Sequence, residues 1–95
     1  MSVYFIAQIK INDMVEYNRY LEKCDEVFSK YNGEYLAVDS NPEILEGEWD
    51  YSRSIIIKFP NERELENWYK SSEYQQILKH RLKAAICDTI IVHGK

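Results

Sequence analysis

The sequence predicts an α+β fold in which a single antiparallel sheet carries its helices on one face. Residues 3–11 place side chains alternately on two faces, with the two-residue period of a strand. Residues 54–59 hold three consecutive isoleucines, whose β-branched side chains favour strands. Two other segments repeat apolar residues at three- and four-residue steps, which is typical of amphipathic helices. No linker interrupts the 95 residues, so we expect one domain over residues 1–95.

The first strand is predicted to lead directly into the first helix. Strand one spans Val3–Ile11. Asp13, with Glu16 three residues later, fits a capping box, in which each side chain binds a backbone N–H at the helix start. The pair Asn32-Gly33 should end the helix, because both residues tolerate the left-handed conformation found at helix C-termini. The apolar stripe of this helix consists of Tyr17, Tyr20, Leu21, Cys24, Val27, Phe28 and Tyr31.

The middle of the chain is predicted to contain two or three strands. Residues 34–38 alternate in polarity, and residues 39–42 are rich in turn formers. Residues 43–49 could continue as an edge or hairpin strand. The strand at 54–59 should end at Pro60, since proline cannot donate a hydrogen bond to the sheet.

The last third of the chain predicts two helical segments and a closing strand. Asn61 begins a helix with the same capping pattern, and the pair Ser71-Ser72 interrupts it. Ser72 with Gln75 is expected to cap a further helix, and residues 88–93 form the last strand. The order β-α-β-β-α-β is that of the ferredoxin-like fold, a four-stranded antiparallel sheet with helices on one face.

Two helices can cover only one face of such a sheet, and the other face is predicted to be partly apolar. An exposed isoleucine forgoes about 1.5 to 3 kcal/mol relative to a buried one, so this face should be covered. An isologous homodimer through the sheet face is the commonest solution. The helix side is assigned Val3, Phe5, Ala7, Ile9, Leu36, Ile55, Ile57, Phe59, Ile90 and Val92. The other face is assigned Tyr4, Ile6, Tyr35, Ile56 and Ile91, mixed with Gln8, Lys10, Lys58 and His93.

Charge and composition restrict the partners that the protein is expected to have. The net charge is −4, divided into −7 over residues 1–50 and +3 over residues 51–95. Phosphate backbones and anionic lipids repel an acidic chain, so we expect neither a nucleic-acid nor a membrane partner. No apolar run approaches the roughly 18 residues of a membrane span, and a cytoplasmic location is expected. Cys24 and Cys87 lack metal-like spacing and are interpreted as reduced thiols.

Several short motifs occur together along nearly the whole chain. They are Leu45-Glu46-Gly47-Glu48-Trp49, the segment 55–60 and the run Trp68-Tyr69-Lys70-Ser71-Ser72-Glu73-Tyr74, joined by Ala7-Gln8, Tyr35-Leu36 and Arg81. In this combination the chain resembles the domain of unknown function 1330 family. That family usually has Gly-Gly where this chain has Asn32-Gly33. The resemblance implies a ferredoxin-like, dimeric α+β barrel and no established reaction.

Two charged residues are candidates for chemistry, and each has a structural alternative. Glu46 beside Trp49 could act as a general base, because an indole desolvates a neighbouring carboxylate and raises its pKa. Alternatively, it lies on a solvated edge strand and pairs with Arg53 or with the partner chain. Arg81 falls on the apolar stripe of its helix, where it must meet an internal partner such as Glu46 or an anionic ligand. Arg53 is a second candidate anion contact.

Aromatic residues are the candidates for the walls of a binding pocket. Trp68, Tyr69 and Tyr74 either pack in the core between helix two and the sheet or stack on a ligand. The hydroxyls of Tyr17, Tyr20, Tyr35 and Tyr74, if they converge near a helix–sheet cleft, would give it a polar lining. Small organic ligands bind in pockets of that kind.

Three functions remain open from the sequence. The first is a dimer that binds a small aromatic or carboxylated metabolite in a cleft between sheet and helices. The second, an analogy from the barrel fold, is a cofactor-free monooxygenase or lyase. The third is a non-catalytic dimer. We predict no cofactor and no metal; Trp68 and His80 invite comparison with haem-degrading barrels, but their spacing and helix phase fit poorly.

Overall fold

The structure, a computed structural model, describes all residues 1–95 and has the predicted ferredoxin-like fold. The strand order in the sheet is β2-β3-β1-β4, and all neighbouring strands are antiparallel. No helix has both the length and the apolar character needed to cross a membrane. The elements are β1 (Val3–Ile11), α1 (Met14–Phe28), β2 (Glu34–Asp39), β3 (Arg53–Phe59), α2 (Glu62–Tyr69), α3 (Ser72–Ala84) and β4 (Ala85–His93).

The helix starts agree with the capping patterns, with two differences. Asp13 Oδ1 accepts a hydrogen bond from the Glu16 backbone N–H at 3.1 Å. The reciprocal half of the predicted capping box is missing, because the Glu16 carboxylate binds His80 on α3 instead. The third helix begins one residue earlier than predicted, since Ser71 is its cap and accepts from the backbone N–H of Tyr74.

The core is a single cluster of 19 buried hydrophobic residues centred on aromatic rings. The Trp68 ring lies 5.1 Å from that of Phe5 and 5.5 Å from that of Phe59, measured between centroids. Gly33 packs so closely against this cluster that a Cβ there would come within 2.5 Å of the Phe28 ring. The turn after α1 therefore requires a glycine for space. The predicted left-handed stop at Asn32-Gly33 is wrong, because neither residue has a positive φ and α1 already ends at Phe28 with Ser29 as its cap.

The connection between β2 and β3, residues 40–52, is an irregular loop. The strand that the sequence allowed at 43–49 is absent. Gly47 has a φ of +82°, Leu45 is 92% exposed, and residues 43–49 take part in no hydrogen bond or salt bridge with the rest of the chain. Only the end of the loop is held, where Asp50 forms a salt bridge with Lys10 at 2.7 Å.

The sheet has the expected two faces, but β2 and β4 are placed differently from the prediction. A bulge between Tyr35 and Ala37 turns Tyr35 to the helix side, where its ring packs 4.4 Å from that of Phe28. In β4, Ile90 pairs with Ile6 and so lies on the face away from the helices. Consecutive isoleucine and valine residues hide the alternation of polarity in β4. Which of its side chains face the helices is therefore set by the register of pairing with β1.

The face away from the helices, called here the open face, is uncovered in the single chain. Its large apolar members come from β1, β3 and β4, and Ile90 is 58% exposed. Charged and polar side chains such as Lys58 and Gln8 are interspersed among them. The open face is formed by Tyr4, Ile6, Gln8, Lys10, Glu34, Ala37, Asp39, Ser54, Ile56, Lys58, Ile86, Asp88, Ile90 and Val92.

The ion pair between the first and last helices makes stability depend on pH. Glu16 Oε2 lies 2.5 Å from His80 Nδ1, and this hydrogen bond is the main cause that lowers the pKa of Glu16 below its ordinary value of 4.5. Nearby Arg19 adds to the shift, whereas desolvation opposes it. A depressed carboxyl pKa stabilises the fold above the unfolded-state pKa, and the contribution is lost as the pH falls through the folded-state value.

We therefore expect Glu16→Gln to be less stable than wild type near pH 6 and equal to it at strongly acidic pH. Urea denaturation at a series of pH values should show the two midpoints converging below about pH 4.5. Glu22→Gln, an exposed change on the same helix at a residue without a salt bridge, is the control. A gap between wild type and Glu16→Gln that stays constant to pH 3 would contradict the role of this pair.

Candidate functional site

A cleft of about 460 Å³ lies between α1 and the helix side of the sheet. Eleven of its 14 lining residues are hydrophobic. Strands β1 and β3 supply aliphatic side chains such as Ile9 and Ile55, and α2 supplies Trp68. Mostly apolar clefts of about 300 to 1,000 Å³ with a few polar groups are typical small-molecule sites.

Arg81 is the most unusual residue in this cleft. Its side chain comes from α3, is only 2% exposed, and has no hydrogen-bond partner for Nε and Nη1. The guanidinium carbon lies 5.7 Å from the centroid of the Tyr20 ring, and the other near neighbours, Tyr74 and Cys87, are also uncharged groups. Arg81 takes part in none of the salt bridges, so the internal partner expected from the sequence, Glu46, is not there.

Arg53 is a second cation in the same cleft. It is the first residue of β3, is half-buried, and its Nε atom has no partner. Its guanidinium carbon lies 5.9 Å from the centroid of the Tyr17 ring. Arg53 also lines an adjoining groove of about 440 Å³ between the start of α1 and the loop 40–52. It therefore stands where the cleft meets this outer groove.

Two buried tyrosines close the inner end of the cleft with a hydrogen bond. The hydroxyls of Tyr20 and Tyr74 are 2.8 Å apart, and both rings are almost inaccessible to solvent. Burial raises the pKa of each hydroxyl, well above the ordinary range for Tyr20. Both groups therefore stay protonated at neutral pH and offer hydrogen bonds rather than negative charge to Arg81.

Tyr35 and Cys24 form a second polar pair in the wall of the cleft. The Tyr35 hydroxyl lies 3.5 Å from Cys24 Sγ, across the gap between β2 and α1. Burial is also the main reason that the pKa of Tyr35 is raised. Both cysteines carry free thiols.

The remaining predicted aromatic residues are distributed around the cleft. Trp68 is 1% exposed, and its Nε1 has no hydrogen-bond partner. Tyr74 packs behind it, with ring centroids 4.4 Å apart. Tyr17 borders the outer groove, and its buried hydroxyl has no partner. Tyr69 faces a separate apolar groove between α2 and β4. The structure thus brings Trp68, Tyr35 and both arginines to the cleft and places Tyr17, Tyr74 and Tyr69 beside or behind it.

Glu46 lies outside this cleft. It is exposed in the loop 40–52 and takes part in no hydrogen bond or salt bridge. The expected desolvation by Trp49 does not occur, because that ring is itself 36% exposed and packs on Tyr51 at 5.1 Å. The polar cavity next to Glu46 that the sequence allowed is therefore not found within one chain.

His80 and Trp68 are also separated. His80 faces a polar groove between α1 and α3, where it binds Glu16, and Trp68 lies in the core on the other side of α3. No group of three or more His, Cys, Asp or Glu side chains is placed to hold a metal ion.

Sequence reasoning understated the contribution of α1 to the cleft. Tyr20, Leu21 and Cys24 all line it, with Asp25 at its rim. The signal was present, because these residues belong to the apolar stripe of α1, but stripes of this kind usually mark core packing. A tyrosine, a cysteine and an arginine facing one another could be recognised as a site only after α1 and α3 were placed.

The chain matches a family model in sequence and solved proteins in structure. A family model described as a domain of unknown function, DUF1330, matches residues 2–95. No curated protein matches the sequence.

Solved structures share the fold at low sequence identity. A protein of unknown function from Rhodopseudomonas palustris has a TM-score of 0.81 at 16% identity, over 99% of this chain and 82% of that one. A dimeric ferredoxin-like protein of unknown function from Jannaschia sp. CCS1 has a TM-score of 0.81 at 10% identity, over 99% and 100%. SnoaB, a cofactor-independent oxygenase from Streptomyces nogalater, has a TM-score of 0.72 at 9% identity, over 99% and 93%. At these identities the likeness concerns the fold.

Proposed function

We propose that this chain, which belongs to the DUF1330 family, binds a small aromatic or carboxylated metabolite in the cleft between its sheet and helices. The observation that carries the proposal is the buried guanidinium of Arg81, which has no acidic partner and whose Nε and Nη1 atoms have no hydrogen-bond partner. Arginine remains protonated in proteins, so burial cannot be relieved by loss of the proton. A buried charge without a partner is costly, and an anionic ligand would supply the missing partner.

The chemistry of the cleft supports a carboxylate more than a neutral ligand. A carboxylate can accept two parallel hydrogen bonds from one guanidinium, and such charge-assisted bonds are about twice as strong as neutral ones. The Tyr20 hydroxyl lines the cleft, is protonated and can donate to the same ligand. Tyr74 lies behind it and can donate to Tyr20 through their 2.8 Å hydrogen bond.

The walls of the cleft support an apolar, preferably aromatic, body for the ligand. Trp68 and Tyr35 provide ring surfaces, and Ile55 provides aliphatic surface, within a volume that suits a small metabolite. In this proposal Arg81 and Arg53 are the anion contacts, and Trp68 and Tyr35 are the walls. Tyr17, Tyr69 and Tyr74 support these walls from outside the cleft.

The protein is further proposed to act as a homodimer through its open face. Ile6, Ile56 and Ile90 would then leave water together, and the intervening Gln8 and Lys58 suit an interface better than a core. Structures that share the fold are described as dimeric. A cytoplasmic location is proposed as well, because both thiols are free, as in a reducing compartment.

A cofactor-free enzyme is the second candidate, because one protein of this fold is a cofactor-independent oxygenase. Glu46 is the proposed acid/base group in that case. Since it is exposed on the loop 40–52, it would have to reach a cleft by movement of the loop or from a partner copy. Loss of turnover in Glu46→Gln, with ligand binding retained, would favour this function over binding alone.

The binding proposal predicts that small carboxylates stabilise the protein and that their amides do not. Thermal unfolding should be followed with a panel of aromatic and aliphatic acids at millimolar concentration, each compared with its own amide, beginning with benzoate and benzamide. A ligand at about 100 times its Kd stabilises by about 2.7 kcal/mol. In a domain of this size that raises Tm by more than about 10 °C. If no acid in the panel stabilises more than its amide, the proposal is wrong.

A further inference from the structure

We infer that the cleft is built for a dianion, a ligand with two separate anionic groups, of which Arg81 binds one and Arg53 the other. This rests on the proposed function and specifies the class of its ligand. The two arginines come from different elements, α3 and the start of β3, yet both line one cleft. Neither takes part in a salt bridge.

The two cations occupy different positions along the cleft. Arg81 lines only the cleft between α1 and the sheet, which is the inner cleft. Arg53 lines both the inner cleft and the outer groove. Each guanidinium lies over its own ring on α1, Arg81 over Tyr20 and Arg53 over Tyr17. These rings are on successive turns of the helix, with centroids 5.7 Å apart. The two guanidinium groups therefore lie over neighbouring rings of α1, Arg53 over the ring nearer the start of the helix.

The protein itself does not balance these two charges. Asp25 is the one acidic residue that lines the inner cleft, and it is exposed at the rim. The outer groove has no acidic lining residue. A monoanion on Arg81 would leave Arg53 with its buried Nε unpaired, whereas a dianion would pair both. The two positively charged guanidinium groups also repel each other in a partly desolvated cleft. A dianion would reduce this repulsion by placing a negative charge beside each of them.

The rest of the cleft lining defines the rest of the ligand. It consists mainly of apolar side chains of β1, β3 and α1, including Ile9, Ile55 and Leu21. A ligand that fits has an apolar spacer with an acidic group at each end. Dicarboxylates have this form, as do carboxylates that carry a second ionised group such as a phenolate or an enolate.

The test compares diacids with their half-esters, which keep the shape and lose one charge. The probes are phthalate, isophthalate and terephthalate, which place two carboxylates at three separations, and the monomethyl ester of each. Binding is measured by isothermal titration calorimetry on wild type, Arg53→Met and Arg81→Met. Arg63→Met, an exposed arginine of α2 without a salt bridge, is the matched control. Arg53→Lys tests whether charge alone restores the second contact.

We expect at least one diacid to bind wild type and Arg63→Met at least tenfold more tightly than its half-ester. Arg53→Met should lose this preference while its affinity for the half-ester changes less than about threefold. Arg53→Lys should regain part of the preference. Arg81→Met should bind neither form.

Other results would contradict either the dianion inference or the proposed function. If wild type binds diacid and half-ester equally, or if Arg53→Met keeps the preference, the dianion inference is wrong and carboxylate binding at Arg81 stands. If wild type binds no acid of any kind in this panel or in the thermal panel, the proposed function is wrong and the inference falls with it. Far-UV circular dichroism of each variant shows whether a lost affinity reflects loss of the fold.

Discussion

Replacing Arg81 with methionine is expected to stabilise the free protein by about 1 to 4 kcal/mol and to abolish carboxylate binding. The guanidinium is 2% exposed, and two of its nitrogen atoms have no partner. Methionine has a similar length and is flexible enough to fill the same space among Tyr20 and Tyr74. Removing the charge therefore removes a desolvation cost, which in wild type the proposed anionic ligand would offset.

Urea denaturation without ligand measures the stability, and the thermal shift with benzoate measures the binding. Lys79→Met is the control, because it removes a positive charge from an exposed position on the same helix and should change the free energy of unfolding by less than about 0.5 kcal/mol. A loss of several kcal/mol in Arg81→Met would mean that the tyrosine hydroxyls already satisfy the guanidinium. The case for an anionic ligand would then lose its main support.

Replacing Ile56 with aspartate is expected to convert the proposed dimer to a monomer. Ile56 lies in the middle of the open face, opposite Ile6 on β1. In an isologous interface every substitution occurs twice, so two carboxylates would be buried without partners. With a penalty of about 2 kcal/mol or more for each ion, the dimer Kd should rise about a thousandfold or more.

Gel filtration with light scattering over a range of concentrations checks this prediction. The control is Val15→Asp, which introduces the same charge at a residue that is 72% exposed on the first turn of α1, where acidic side chains are tolerated. Val15→Asp should elute as wild type does. If Ile56→Asp also remains dimeric with unchanged Kd, the open face is not the interface.

The elements in which apolar residues recur with one clear period were predictable from the sequence. The strands β1 and β3 pair one buried face with one half-exposed face, and the sequence of β1 shows this directly. The caps at Asp13 and Asn61 mark the starts of α1 and α2. The side chains of β2 and β4 that face the helices could not be predicted. A bulge at Leu36 shifts the alternation in β2, and consecutive apolar residues hide the alternation in β4. Both depend on pairing between distant segments.

The candidate site was predictable in one respect and unpredictable in another. An arginine on the apolar stripe of a helix signals a buried charge, and Arg81 is buried. The identity of its neighbours depends on how α1 packs against α3, which no local pattern encodes. The proximity of Glu46 to Trp49 in the sequence predicts a desolvated carboxylate, yet neither residue is buried, because the loop 40–52 forms no strand.

The two tryptophans lie in different environments and should differ in fluorescence emission. Trp68 forms part of the cleft wall and is shielded from solvent, whereas Trp49 sits on the loop 40–52 in contact with water. An indole in an apolar setting emits at shorter wavelength than a hydrated one, so the fluorescence spectrum is a sum of two separable bands. In a Trp49→Phe chain the remaining band comes from the cleft alone, and its intensity reports on whatever enters there.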